Sequence, residues 1–505
     1  MNRRNHIVFG RRGSGKTSLL RKAHANLSLE RQPAAFVDLE TFKGHSYPDV
    51  LISILIEVLR SFDGWLQDVA GAPPRKRSVW ERLFGKGAKT EQPALNPAVV
   101  ERARTTISVQ QKKLNDLLRS VDHTDVTRTQ KEGYEVKISA SDNAEIGSSE
   151  FAKFGMRDEL HEGVTRAQEV LEVMKQSKVA YLHQNIQDIQ AVLSEIARAA
   201  GGNAFLFLDD LYYIRRSDQA MVIDYLHRVS KQKGVWLKIG TIRHRTEWYR
   251  HGDPPVGLKL SDDCDEIDLD TSLEKYRIAK AYLLKIATNL IQEVGLTDSD
   301  SLLTKDAVDR LVLASGGVVR DFLNILKRSI DFGREREGQS RGQKISTEDV
   351  NNAAGEYDGP KREELKRDAL DDRETLEAAF EKVKDFCLKT NFNCFLVERD
   401  KETDGARIIN ELVDLRLIHI VQSRVTVKSG KSFAGRIFFA YMLDISQYAG
   451  ARKRRGFNLI EFWKKTGGGE NLRRVGLIFD PEEHFKGLKW KATESFDRSK
   501  RDHGY

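Results

Sequence analysis

Three stretches of the sequence predict an α/β core built on a parallel sheet, a helical lid and, behind them, a winged helix-turn-helix domain. The first is a glycine-rich turn, Gly10-Arg11-Arg12-Gly13-Ser14-Gly15-Lys16-Thr17-Ser18, set between the apolar run His6–Phe9 and the helix-forming run Ser18–Ala23. The second is Phe205-Leu206-Phe207-Leu208-Asp209-Asp210, four apolar residues ending in two acids. The third is a helix, helix, strand, strand pattern between Arg373 and Ile445.

The glycine-rich turn has the spacing Gly10-x-x-x-x-Gly15-Lys16-Thr17 of a P-loop. Glycines let backbone N–H groups turn toward a phosphate, and the helix after the turn adds the positive end of its dipole. A lysine at this position reaches the β- and γ-phosphates, and a threonine hydroxyl after it ligates Mg²⁺. Gly10, Arg11, Arg12, Gly13, Ser14, Gly15, Lys16, Thr17 and Ser18 are therefore the candidate nucleotide-binding residues. ATP and Mg²⁺ are the ligands they imply, against the blander reading of a glycine turn that holds nothing.

Further elements come in chain order. Ala34–Leu39 reads as a second strand, and Tyr47–Val69 as a helix whose apolar residues Leu51, Ile54, Leu55, Val58, Leu59 and Leu66 make one stripe. Asn185–Ala200 is another helix, ended by Gly201 and Gly202. Between these two helices, 70–178 is longer than a compact core needs for a connection, so it reads as an insertion rather than a plain linker. Within it, a polar helix pattern spans Val99–Val121, and Tyr134–Ser139 alternates like a strand. Farther on, Gly359-Pro360 reads as a break in the chain, with a separate charge-rich helix over Lys361–Glu374.

Bound ATP needs an acid on a neighbouring strand before it is hydrolysed. Asp209 is placed to hold Mg²⁺ and Asp210 to orient the attacking water, although paired acids after a strand also cap helices. Gly234–Ile242 is the next strand, with Thr241 at its end and Arg243, His244 and Arg245 beyond it. A polar group there can sense a γ-phosphate, and an arginine can neutralise charge in the transition state. Arg243, Arg245 and Arg250 compete for that role. The turn Ser315–Asp321 opens a helix in the next segment, and its glycines allow Arg320 to approach the nucleotide.

The order of Gly10–Thr17, Phe205–Asp210, Thr241 and Gly316–Arg320, with a winged helix behind, resembles the AAA+ and STAND branch of P-loop ATPases. Origin-recognition ATPases and related prokaryotic ATPases are its look-alikes. The resemblance spans about residues 6–66, 181–333 and 375–445. It implies that Lys16 and Thr17 serve as Walker A residues, Asp209 and Asp210 as Walker B, Thr241 as sensor 1 and Arg320 as sensor 2. AAA+ motors carry glutamate where this chain has Asp210, and an acid pair is more like the STAND switches. The implied organisation is a P-loop NTPase core to residue 270, a helical lid over 271–358, a winged helix over 359–450 and a basic tail over 451–505. The resemblance also implies assembly with itself or with a partner effector protein, and in prokaryotes a role in antiviral defence or mobile-element regulation.

Composition narrows the classes. The chain has 505 residues, room for about three domains, with 40% hydrophobic and 31% charged residues. No apolar run approaches the ~20 residues that span a bilayer, so no membrane association is expected. Cys264, Cys387 and Cys394 show no metal-ligand spacing, which points to a reducing cytoplasm. Net charge is +8, diffuse except at Arg452–Arg455 and the nearby Lys464, Lys465, Arg473 and Arg474. Double-stranded DNA is thus a second candidate partner, through Arg424, Lys428, Lys431 and Arg436 in the wing and the basic tail. Against it, the helix expected to read the groove carries Asp404, Glu411 and Asp414 beside Arg407.

Overall fold

The run Ala204–Asp209 is buried at every position, as a strand in the middle of a parallel sheet must be. The computed structural model describes residues 3–71, 97–119, 178–293, 295, 302–335, 344–368, 373–399, 403–428, 433, 435–449, 457–464 and 468–488. Their contacts define two units, and the chain passes between these units several times. The first holds 1–8, 17–241 and 245–267; the second holds Phe9–Lys16, Ile242–His244 and Asp268–Tyr505.

A parallel sheet comprises β1 (Asn5–Phe9), β2 (Ala34–Asp38), β3 (Ala204–Asp209), β4 (Val235–Thr241) and, after a small hairpin, β7 (Cys264–Asp268). Its five strands lie in the order β2-β3-β4-β1-β7 and form the base of the first unit. Register places Ala34 opposite Phe205 and Ala204 opposite Val235. The hairpin between β4 and β7 is made of β5 (Tyr249–Arg250) and β6 (Val256–Gly257).

Helices α1 (Lys16–Leu29) and α2 (Asp49–Gly71) come after β1 and β2. Helix α2 buries Val50 through Ile56, Val58, Leu59, Phe62 and Leu66. So many buried positions exceed one stripe, and a second layer must cover them. That layer is α3 (Pro97–Arg119), which packs on α2 and on α4 (Ile186–Ala199). Val100, Ala103, Ile107, Gln110 and Leu114 are its buried residues, spaced three and four apart like a coiled-coil seam. Arg104 Nε pairs with Asp63 Oδ1 at 3.0 Å, and Lys178 Nζ with Asp49 Oδ1 at 2.8 Å. Part of the stretch read as an insertion therefore belongs to the core of this unit. The expected strand Tyr134–Ser139 lies outside the described residues. Helix α5 (Arg216–Ser230) comes after β3.

The second unit begins with α6 (Tyr276–Glu293), α7 (Lys305–Ala314) and α8 (Val319–Glu335). Gly359-Pro360 does not break the chain as expected. Instead α9 runs unbroken over Thr347–Asp368 with Pro360 inside it. A mid-helix proline costs about 3 kcal/mol through a lost hydrogen bond and a clash. Buried polar anchors on either side offset this cost: Gln447 Nε2 donates to Asp358 Oδ1 at 2.6 Å, and Lys361 Nζ to Asp444 Oδ2 at 2.6 Å.

The winged-helix order is present with one more strand. After α10 (Arg373–Thr390) comes β8 (Cys394–Glu398), then α11 (Asp404–Asp414), β9 (Ile418–Val425) and β10 (Phe438–Leu443). Strand β10 lies between β8 and β9 and is antiparallel to both. Lys431 of the wing and the basic run Arg452–Arg455 lie outside the described residues. Residues 468–488, read as tail, fold back on this domain. Phe479 N donates to Leu396 O at 2.7 Å, and Leu472, Leu477, Phe479 and Phe485 are buried in its core.

Candidate functional site

The glycine-rich turn leaves β1 at Phe9 and enters α1 at Lys16. Gly13 has φ +80° and Gly15 φ +99°, left-handed values that a side chain resists. Gly13 is also closed to a side chain, because a Cβ there would lie 2.5 Å from Arg320 Cβ. Lys16 is buried, and its Nζ donates to Gly10 O at 2.8 Å and Arg11 O at 3.4 Å. The ammonium thus lies on the inner rim of the loop, held by carbonyls of the same loop. Ser14 is buried against Gly10, Arg12 is half-buried, and Ser18 is exposed.

Within the second unit this loop is tied to the chain just beyond β7. Arg11 N donates to Asp270 Oδ1 at 2.8 Å, and its guanidinium reaches the same oxygen at 3.4 Å and Thr271 O at 3.5 Å. Thr271 Oγ1 donates to Gly317 O at 2.6 Å. Arg320 N donates to Gly13 O at 3.2 Å. The Gly316–Arg320 turn thus meets the glycine-rich loop through backbone atoms. Arg243 packs over the Phe9 ring, 4.0 Å from its centroid, and pairs with Asp268 Oδ2 at 3.4 Å.

Within the first unit, the acids and Thr241 occupy the ends of two paired strands. Asp209 ends β3 and is buried; its Oδ1 accepts from Asp210 N at 3.1 Å. Gly240 in β4 makes room for that carboxylate: a Cβ there would meet Leu20 Cδ1 at 2.7 Å and Asp209 Oδ1 at 2.9 Å. Leu20 lies one turn along α1 from Thr17, so the first turn of α1 and the Asp209 carboxylate converge on one point of β4. Asp210 adopts φ +56°, a conformation that turns the chain sharply at the strand end. Thr241 is fully buried, its hydroxyl 2.5 Å from that of Thr246. Arg250 is bound to Glu247 at 2.6 and 3.2 Å and to Ser217 O at 2.9 Å. The hydrogen bonds that its guanidinium donates to the Glu247 carboxylate raise its pKa. Among the described residues no three His, Cys, Asp or Glu side chains converge as a metal cluster. A hydroxyl and one carboxylate, Thr17 and Asp209, fit a hard cation that keeps most of its water.

Sequence reasoning missed two parts. Asp270 and Thr271, which grip Arg11, carry no motif; only their place after β7 marks them. Gly240 looked like an ordinary strand residue, yet a glycine inside a strand is itself a sign of close approach.

The wing and α11 are less open than their sequence suggests. Lys428 pairs with Glu470 at 2.9 Å, and Arg436 with Glu398 at 3.4 Å. At the start of α11, Gly405 N donates to Glu482 Oε1 at 3.2 Å and Ala406 N to Thr403 Oγ1 at 3.3 Å. A carboxylate of the folded-back segment thus sits where a helix would otherwise offer its N–H groups to a phosphate.

No protein-family model matches the chain, and no curated protein sequence matches it. Among solved structures it is similar to the ORC1 protein of Aeropyrum pernix in complex with DNA, at 14% identity and a TM-score of 0.33, over 87% of this chain and 83% of that one. It is also similar to a Walker-type ATPase of Pyrococcus abyssi, at 10% identity and a TM-score of 0.38, over 88% and 90%. Scores this low transfer no function to this chain.

Proposed function

We propose that the chain binds ATP with Mg²⁺ and hydrolyses it slowly, as a nucleotide-controlled switch of AAA+/STAND type. The observation that carries this reading is the loop Gly10–Thr17, with its left-handed glycines, inward lysine and backbone tie from Gly13 to Arg320. In this reading Lys16 exchanges the carbonyls of Gly10 and Arg11 for the β- and γ-phosphate oxygens. Amides of the loop and of the first turn of α1 receive the remaining phosphate charge. Thr17 and Asp209 hold the Mg²⁺, which when bound neutralises charge on the transferring phosphoryl group. Asp210 accepts a proton from the attacking water, and Thr241 and Arg320 respond to whether a γ-phosphate is present. Arg243, anchored over Phe9, is the arginine closest in sequence to Thr241 that belongs to the same unit as the loop.

The output is assembly with a second copy or a partner effector protein, and antiviral defence is the setting that the resemblance favours. Double-stranded DNA binding is the weaker reading, because Glu482 occupies the start of α11 and two wing cations are already ion-paired. Cytoplasmic location is part of the proposal, supported by three buried free thiols. No helix among the described residues is long and apolar enough to cross a membrane.

Two substitutions test the assignment. Lys16→Ala should abolish ATP binding measured by fluorescence of a labelled ATP. Asp210→Asn should keep binding and slow phosphate release by about 10²-fold or more, the scale of a lost catalytic base. Full turnover by the Asp210 variant would refute the role given to that residue.

A further inference from the structure

Six ionisable side chains are buried together in the second unit, beside the turn that touches the phosphate loop. Asp321, the residue after Arg320, accepts from Arg416 Nη1 at 2.5 Å and from the Tyr357 hydroxyl at 3.2 Å. Lys361 Nζ lies 3.5 Å from the other Asp321 oxygen and 2.6 Å from Asp444 Oδ2. That Asp444 oxygen also receives His419 Nε2–H at 2.8 Å. Arg416 comes after α11 in a left-handed conformation, φ +63°, and it is fully buried.

Holding α9 past Pro360 accounts for one pair of this cluster, Lys361 and Asp444, and not for the rest. Replacing buried ion pairs by apolar side chains of similar volume is often neutral or stabilising. Its position is what distinguishes it. A Cβ on Gly316 would fall 2.1 Å from His419 Nδ1, and one on Gly317 would fall 2.3 Å from Thr271 O. On the far side of the same turn, Arg320 is hydrogen-bonded to Gly13 and leaves no room for a side chain there. From the phosphate loop through the turn to β9 there is contact without slack. Close-packed interiors transmit displacement rather than absorb it.

We infer that the turn Ser315–Asp321 relays the state of the phosphate loop to the winged-helix sheet, and that Arg416 and His419 couple the two. Arg416 acts through Asp321 at the base of α8, and His419 acts through Gly316. This inference rests on the reading of Gly10–Thr17 as an ATP site and names how that site is read out. Arg416 is hydrogen-bonded to Asp321 and His419 to Asp444, partners outside the loop, so both should affect transmission and leave binding in place.

The test is hydrogen exchange on the full chain with and without ATP and Mg²⁺, beside a binding titration with labelled ATP. In the wild type, ATP should slow exchange in 10–18 and change it in 418–425. In Arg416→Met and His419→Ala, ATP affinity should stay within about threefold and the response in 10–18 should persist. The response in 418–425 should be lost. His419→Ala keeps the Lys361–Asp444 pair intact and serves should Arg416→Met fail to fold. A response in 418–425 that survives in a folded variant, or that is missing from an ATP-bound wild type, overturns the relay. A wild type that binds no labelled ATP overturns the nucleotide reading itself, and the relay with it.

Discussion

His419 and Lys361 share one oxygen of Asp444, and the three groups respond to pH in different ranges. Burial lowers the pKa of His419 from its ordinary 6.5; Asp444 opposes the shift, while Lys361 and Arg11 add to it. With its pKa lowered by folding, the ring binds fewer protons in the folded chain than in the unfolded one below about 6.5. Stability is then complete above that pH and is lost as pH falls from there toward the folded value. Burial pushes Asp444 up, but Lys361 and His419 pull it well below its ordinary 3.8, so its contribution is lost only at lower pH. Burial disfavours the charge on Lys361, yet Asp444 and Asp321 hold its pKa above 10.5, so its contribution fades only on the alkaline side. Urea midpoints should therefore fall between pH 7 and 5, with a smaller slope in His419→Gln. His6, His183 and His227 are also lowered by burial, so the slope should shrink by up to about one proton's worth rather than vanish. An unchanged slope would place His419 outside the acid transition. The glycine-rich turn Gly10–Thr17 and the strand ending at Asp209 were legible in the sequence because a local pattern announces them. Asp321 and Arg416 are 95 residues apart, and no local pattern announces a pairing at that distance.

At the scale of elements, the apolar strands and amphipathic helices were legible within a few residues, from Ala34–Asp38 to Phe438–Leu443. Two readings missed for physical reasons. Gly359-Pro360 punctuates most chains, but buried partners on both sides hold α9 straight through it. Helix α3 looked too polar for a core, since its burial is a narrow seam and the rest of its surface is solvated. Ile107, fully buried in that seam, tests the packing directly. Ile107→Ala should lower stability by about 2–5 kcal/mol, read as a shift of the urea midpoint with unchanged slope. An effect within about 0.5 kcal/mol would mean that α3 is peripheral after all.

Across the whole molecule, neither unit is a continuous stretch. The helical and winged-helix residues from Asp268 onward own a hydrophobic core reaching from Leu273 to Phe485. They meet Phe9–Lys16 at the Gly13 acceptor for Arg320 N and at Arg11, which is bound to Asp270 and Thr271. A fragment of 268–505 should fold cooperatively, yet exchange amide hydrogens in 315–321 faster than the full chain does. Equal rates would show that the Gly13 contact contributes nothing to the turn.

The threading of the chain also bears on how such a protein can be rebuilt by recombination. It leaves the first unit after Val8, returns at Thr17, leaves after Thr241, returns at Arg245 and leaves again after Ile267. A single crossover near Ile267 would import a foreign lid and winged helix but keep the native Phe9–Lys16. The imported Arg320 equivalent would then have to fit a loop shaped by a different lineage, at a site where one methyl group is already too much. Shuffling of intact C-terminal halves is therefore restrained by eight residues near the start of the chain, and those residues must travel with the half they serve.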